Sequence, residues 1–564
     1  MASDIESDEG VIAALVRFLN PFPGNLEVLI WIQSATVAIS VLAIAVLLWI
    51  CCRGRRWKEL DVEPVPFMCL FIDSTWLDRL SVFAWLNRTL LRNRWKTERE
   101  MLLTGISEMC QSSTTQHVQH PVLVTSSVKT TLDLFFRVQK YPSESEVIVT
   151  AINAYDTIQV ILHHGLHVVP LDIDKDTLSP NIEALRHVIN ENTVALFVSH
   201  LYGRLSDLTQ IADIAHEHGV HLLEDCSQAC TSPVDSANPE SDLAFFSFDT
   251  IHPCTAHGGA ITRVKDKYLL AKMKELHETY PVGSEVKYVE NILKTSVVAL
   301  TLNHPRFTKL TMLLLRPFKV DLKEKANAFL TAPPQAGLLR LLRDQPPTAL
   351  LFMLHRRLKN FDPTDFDKSR ETGDYVSERM PQVAGQIGMK ALVRGYWLYP
   401  ILVNDPDEVV RRLNLLGIEA ARQVTQLTLI TAPATQSSVS DSVEPPLMGV
   451  DSSQCPLTTA TFIIDHVVYL PVHKRVARHH LEQVCLAVEI VVNKLAILKR
   501  YRARLKDAAS SARGSHEVSN SGPYGPVASR KTKDSNRRRT VSFNPSVKMF
   551  AQVPASQTEG PKST

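Results

Sequence analysis

From about residue 100 to residue 265 the chain alternates short β-rich runs with stretches of helical period, and this rhythm restricts the fold more than any other feature. The runs are VIVTAI, HVVPLDI, TVALFVSHL, VHLLEDCS and LAFFSFD, with amphipathic segments such as IEALRHVINE and LTQIADIAHEHG between them. Strands that alternate with helices predict an α/β architecture: a mostly parallel sheet with helices on both faces, here over residues 101–265.

The rhythm stops there. Residues 266–375 read as helical and Pro-punctuated, and from Asn291 to Val320 there is no acidic residue while Lys294, Arg306, Lys309, Arg316 and Lys319 interleave with leucines and valines. Such a segment either rests on an anionic membrane surface or packs on the body as a helical insertion. A second, smaller α/β domain is expected over 376–500, from YWLYPILV (Tyr396 to Val403), DPDEVVRRLNLLGIEA and VVYLPVH, broken by a Ser/Pro-rich loop near 431–456. Residues 505–564 turn to Ser, Arg, Lys, Gly and Pro and are expected to be a disordered tail.

Ahead of the α/β body, a short acidic segment (1–27) leads into Val28–Cys52, which has no charged residue. That length suffices to cross a bilayer core of roughly 30 Å as a helix. Arg53, Arg55, Arg56 and Lys58 come next, so the expected protein is single-pass, with a juxtamembrane linker over 53–100 and its C-terminal body in the cytosol. Lys+Arg (61) nearly balance Asp+Glu (59), which gives no global electrostatic case for a nucleic-acid partner. The nine cysteines form no CxxC pair, favouring reduced thiols over disulfides or a zinc site, and no metal site is expected.

The segment from Glu146 to Gln228, with HLYG and then LLEDCSQA, followed by FFSFDTIHPCTAHGGAI (Phe245 to Ile261), resembles the DegT/DnrJ/StrS family of sugar aminotransferases. The resemblance runs from about Pro121 through Gly258-Gly259 and resumes from Tyr396 to about Ile490. It implies the fold of type I enzymes dependent on pyridoxal phosphate (PLP): a large domain carrying the parallel sheet and a small C-terminal α/β domain. It also implies a homodimer and nucleotide-linked keto sugars as substrates. By the same resemblance Asp225 is the carboxylate beside the pyridine nitrogen, Gln228 lies beside the ring hydroxyl, and Ser247 is a phosphate ligand.

The departures cluster around the same cofactor. Five residues after Ser247, where the family has its lysine, stands His252, and an imidazole has no primary amine with which to hold the cofactor covalently. The family's Ser-Gly-Thr phosphate cradle reads Ser127-Val128-Lys129, so a valine replaces the glycine; Lys129 either supplies a replacement charge or is solvated. The aromatic expected over the ring aligns with Ala154, or after a one-residue slip with Tyr155, and the glutamate before Gly-Gly is His257. Two readings result. In one the protein is a membrane-anchored pseudoenzyme unable to carry out lysine-dependent transamination, with no cofactor or a much modified use of it. In the other it resembles the family's 3-dehydratases, which use histidine at this position, and His252 is a general base acting with non-covalently held PLP or pyridoxamine phosphate (PMP).

Within the tail, Arg539-Thr540-Val541-Ser542-Phe543 resembles the RVxF motif by which partners dock on protein phosphatase 1, with Arg539, Val541 and Phe543 as its elements.

Overall fold

The computed structural model describes residues 62–92, 94–112, 121–229, 236–308, 342–431 and 449–517. The chain divides into two units, Met1–Leu498 and Lys499–Thr564. The first unit carries the sheets and the helices that cover them.

In chain order the first half of that unit contains α1 (Trp76–Arg92), α2 (Trp95–Ser112), β1 (Val122–Thr125), α3 (Val128–Gln139), β2 (Glu146–Thr150), β3 (Ile152–Ala154), α4 (Tyr155–His163) and β4 (His167–Leu171). Next come α5 (Ile182–Val188), β5 (Thr193–Ser199), β6 (Arg204–Leu205), α6 (Thr209–Glu217), β7 (His221–Asp225), β8 (Leu243–Ser247) and β9 (Ala260–Val264). Seven strands form one sheet in the order β1-β9-β8-β7-β5-β2-β4. Strands β4, β2, β5, β7 and β8 are parallel, while β9 is antiparallel to β8 and β1.

The runs are apolar throughout because the sheet is covered on both faces. Val147, Val149, Phe197, Leu223 and Phe245 cluster with Leu132 and Phe135 of α3 and Ile158 of α4. The alternate residues Ile148, Leu196 and Leu222 cluster with Leu185 of α5 and Ile211 of α6, while Phe246 and Ile261 meet Leu102 and Ile106 of α2. Period-two alternation thus feeds two apolar layers, and each fully buried side chain contributes about 1.5–3 kcal/mol. Strands β2, β5, β7 and β8 end at Thr150, Ser199, Asp225 and Ser247. The carboxyl edge of such parallel strands is where ligands bind in open α/β sheets.

After β9 come α7 (Lys267–Glu278), α8 (Glu285–Asn303), α9 (Thr348–Lys359) and α10 (Thr364–Arg379). Helix α8 buries Tyr288 and Ile292 in the cluster that holds Phe246, so the described part of the helical insertion packs on the body. The smaller part of the fold comprises β10 (Gly385–Gln386), β11 (Val393–Arg394), β12 (Tyr399–Leu402), α11 (Pro406–Leu415), β13 (Leu427–Leu429), α12 (Thr458–His466), β14 (Val467–Leu470) and α13 (Arg478–Glu517). Strands β10, β12 and β14 make an antiparallel sheet. Its core gathers Ile401, Leu413, Val468 and Val488 together with Val62, Val65 and Phe67. Residues 62–67, expected as juxtamembrane linker, therefore complete the core of the small domain, and Val65 N donates to Gly417 O at 3.0 Å.

Among the described residues no helix is long and apolar enough to cross a membrane, which corrects the expectation of a single-pass, membrane-tethered protein. The longest described helix, α13, carries Arg478, Glu482, Glu489 and Lys494, charges that a bilayer core accepts poorly. The stretch 28–52, on which that expectation rested, lies outside the described residues, as does the RVxF-like motif with Arg539, Val541 and Phe543.

Candidate functional site

Asp225 closes β7 with its carboxylate turned into the following loop. Asp225 Oδ1 accepts from Ser227 N at 3.0 Å and from the Ser227 hydroxyl. This local turn orients the carboxylate at the sheet edge. Ser227 is a site residue that the sequence reading missed, although an Asp followed two residues later by Ser is the signature of such a turn.

After β8 the chain forms a tight loop back to β9. His252 N donates to Asp249 O at 3.0 Å, and both Ala256 N and Gly258 N donate to Phe248 O. The loop places His252 Nδ1 2.8 Å from Ser247 Oγ. Asp249 N also donates to Ser247 Oγ, at 3.3 Å, so the hydroxyl oxygen is the natural acceptor for both. That assignment puts the imidazole proton on Nδ1 and leaves the lone pair on Nε2. The ring sits 5.5 Å from that of Trp397, whose Nε1 donates to Ile251 O at 2.9 Å. Burial pushes the pKa of His252 below its ordinary value of 6.5; Asp249 and Asp225 partly oppose this and Lys129 reinforces it. His252 is thus an oriented imidazole whose charged form is disfavoured and whose environment includes both Asp225 and Lys129.

The residues expected from the sequence to cradle a phosphate stand at the start of α3. Ser127 caps the helix, its Oγ accepting from Thr130 N at 3.2 Å, so its hydroxyl is already committed. Lys129 Nζ forms an ion pair with Asp156 Oδ2 at 2.8 Å, with both side chains largely buried. Gln228 likewise has a fixed partner, its Oε1 accepting from Tyr202 N at 2.9 Å. Tyr155 does not cover the site. It is 5% exposed and belongs to the core cluster with Phe135 and Ile158, while Ala154, half-buried and extended, is the residue before it.

His257 serves a separate purpose. Its Nε2 lies 3.0 Å from Ser74 Oγ, its Nδ1 lies 3.0 Å from Thr295 Oγ1, and its carbonyl accepts from Asn291 Nδ2 at 3.1 Å. The ring is bolted between the segment before α1 and helix α8, and burial, with help from Arg79 and Arg357, pushes its pKa down to about 3. It holds a left-handed φ of 59°, followed by Gly258 and Gly259 at φ 138° and 89°.

Gln228 and His252 also line a cavity of about 410 Å³, whose other walls include Phe71, Arg357, Tyr396 and Trp397. Its rim is tied together by Asp73. This carboxylate accepts from Cys254 N at 3.0 Å and pairs with Lys474 Nζ at 3.0 Å. Burial raises its pKa, but Lys474 and Arg357 outweigh that and hold it below the usual carboxylate value. Asp225, Ser247 and Lys129 do not line this cavity, so His252 and Gln228 form the wall between it and the sheet edge.

A third group, His200, Glu224 and Cys226, brings three metal-capable atoms within 4.8 Å of one another. Hydrogen bonds account for it: His200 Nδ1 accepts from Ser206 N, and His200 Nε2 lies 2.9 Å from Glu224 Oε1. Glu224 Oε2 in turn accepts from Asn238 N at 2.9 Å. These contacts make it a satisfied structural network.

A mixed, mostly parallel sheet with an Asp at one strand end, a Ser at the next and a small antiparallel domain beside them is the fold of the PLP-dependent aminotransferases. The solved structures bear this out. The chain matches a putative sugar aminotransferase of Streptococcus pneumoniae in its PMP form (15% identity, TM-score 0.53, 76% of this chain and 99% of that one). It also matches PseC of Helicobacter pylori, an aminotransferase involved in the biosynthesis of pseudoaminic acid (16%, 0.51, 76% and 99%), and a GDP-4-keto-6-deoxy-D-mannose-3-dehydratase of E. coli with bound hydrated PLP (14%, 0.51, 76% and 100%). At these identities the likeness establishes the fold. Residues 109–297 match the model of the DegT/DnrJ/EryC1/StrS aminotransferase family. The chain is 30% identical over 105 residues to GDP-perosamine synthase of Vibrio cholerae. The corresponding figure is 37% over 116 residues for L-glutamine:2-deoxy-scyllo-inosose aminotransferase of Streptomyces kanamyceticus. The matches span 18% and 20% of this chain, and 29% and 27% of those relatives.

Proposed function

We propose that the protein is a lysine-independent relative of the sugar aminotransferases and dehydratases, one that holds PLP or PMP without a covalent link. The observation that carries this reading is His252: an imidazole kept neutral by burial, oriented by Ser247 and lining a cavity. Asp225 would hold the ring nitrogen's proton, and Ser247, together with Lys129 once it leaves Asp156, would hold the phosphate. When bound, the cofactor supplies a pyridine ring that withdraws electrons from the carbon under attack. The chain supplies the rest. Asp225, braced by Ser227, keeps negative charge at the ring-nitrogen position. His252, with Nδ1 held by Ser247, accepts and returns a proton at Nε2. Trp397 limits water on one side of the imidazole.

The cavity beside His252 is the substrate side in this reading, and its aromatic and charged walls suit a sugar ring. A nucleotide-linked keto sugar is the proposed class, by analogy with the GDP-sugar enzymes among the relatives. A homodimer is proposed on the same analogy. The second reading, a pseudoenzyme, draws on the hydrogen bonds already made by Ser127, Gln228 and Lys129 and on Tyr155 lying in the core.

Titration of the purified protein with PMP distinguishes the two. Saturable binding with a change in cofactor absorbance, abolished by Asp225→Ala, is expected for the lysine-independent cofactor protein. Absence of binding would support the pseudoenzyme. If PMP binds and a nucleotide-linked keto sugar is turned over, a His252→Asn variant that remains fully active would exclude the imidazole as the base.

A further inference from the structure

The ion pair of Lys129 with Asp156 has a consequence for which ligand the pocket accepts. A phosphate ester brings up to two negative charges and is normally met by helix N-terminal N–H groups and an uncommitted positive charge. The start of α3 offers the first, with Val128 at its first position and Thr130 N and Thr131 N already bonded to Ser127. The second is not free. Lys129 Nζ is held at 2.8 Å by Asp156 Oδ2, and the two side chains are 28% and 17% exposed, so water screens the pair only in part. The other charges that act on the neighbouring His252 are Asp249 and Asp225, both negative. The one ammonium at this site is thus already paired with Asp156, and the imidazole beside it feels two carboxylates. Val128 adds a steric element, since its side chain packs against the apolar core beneath α3 and a bound group cannot simply displace it.

We propose that Asp156 sets the phosphate selectivity of this pocket: a phosphorylated ligand must displace its carboxylate from Lys129, so the protein takes unphosphorylated pyridoxamine nearly as well as the phosphate ester. The inference rests on the pocket's being a vitamin B6 site. Asp156 acts through Lys129 and is a selectivity residue, with no part in proton transfer. It lies in the first turn of α4, where asparagine preserves shape and removes only the charge. The ligand class is therefore the pyridoxamine family with or without its phosphate, and the ratio of the two affinities is the quantity that Asp156 controls.

The test is isothermal titration of the full-length protein with pyridoxamine and, separately, with pyridoxamine phosphate. Wild type is expected to bind the two within about threefold of each other. Asp156→Asn should tighten the phosphate ester about tenfold, some 1.4 kcal/mol, and leave pyridoxamine within about twofold. Lys129→Gln provides the opposite displacement: the phosphate ester weakens about tenfold and pyridoxamine is unaffected. Circular dichroism checks that the variants are folded, and the lysine variant keeps the proposal testable if Asp156→Asn is not. A phosphate preference that Asp156→Asn leaves unchanged overturns the proposal while sparing the wider reading. Failure of wild type to bind either vitamer overturns both.

Discussion

His257 gives the sharpest stability prediction, because its charge state differs between folded and unfolded chain by an amount that can be worked through. In the fold its imidazole is buried between Ser74 and Thr295, with a pKa of about 3 against an ordinary value of 6.5. Between those values the unfolded chain binds more protons than the folded one. The stabilising contribution is therefore fully present above pH 6.5 and is lost as pH falls toward 3. Lowering the pH from 7 to 5 removes about 2 kcal/mol through this one residue. His257→Asn suits the left-handed backbone and removes the titration. At pH 7 the variant forfeits two hydrogen bonds of the buried ring, about 2 kcal/mol. The two stabilities should accordingly converge at pH 5, where wild type has lost what the variant never had. His473 and His277, pushed down to about 3 and about 4, titrate alike in both proteins and cancel in the difference. Urea unfolding at pH 7, 6 and 5 reads this directly. A gap between wild type and variant that stays constant with pH would refute the buried neutral imidazole.

Two further outcomes rest on single contacts. Gly203 has φ +82°, and a Cβ there would lie 2.3 Å from Trp397 N, so Gly203→Ala is expected to destabilise by about 3 kcal/mol or more and to displace Trp397 from Ile251; unchanged urea unfolding would contradict this. His252, its pKa lowered by burial, should titrate below a solvent-exposed imidazole in ¹⁵N-histidine spectra. A ring titrating at or above 6.5 would contradict the environment described for His252.

The sheet was legible in the sequence because strand and helix impose different apolar periods, and the runs from VIVTAI to LAFFSFD kept theirs. The strand ends that carry Asp225 and Ser247 were legible for a related reason, because each apolar run stops where the strand stops. Contacts between distant segments left no such trace. Asp156 neutralises Lys129 across 27 residues, and Ser74 meets His257 across 183; neither pair has a periodicity or spacing that announces it. Tyr155, offered as a ring cover by a one-residue slip at the strand-to-helix junction, lies in the core with Phe135 and Ile158, a packing contact that the spacing of the motif does not record. The expected membrane attachment rested on apolar length alone, and among the described residues no helix provides it.

The central claim is that this is a cofactor pocket from which the lysine has been removed. Substituting His252→Lys, adding PLP, reducing with borohydride and weighing the protein tests it most directly. The account predicts that the variant acquires one pyridoxyl group on residue 252 and that wild type acquires none at this site. A variant that remains unlabelled, or a wild-type protein that fixes the cofactor stoichiometrically on a lysine of its own, would contradict it.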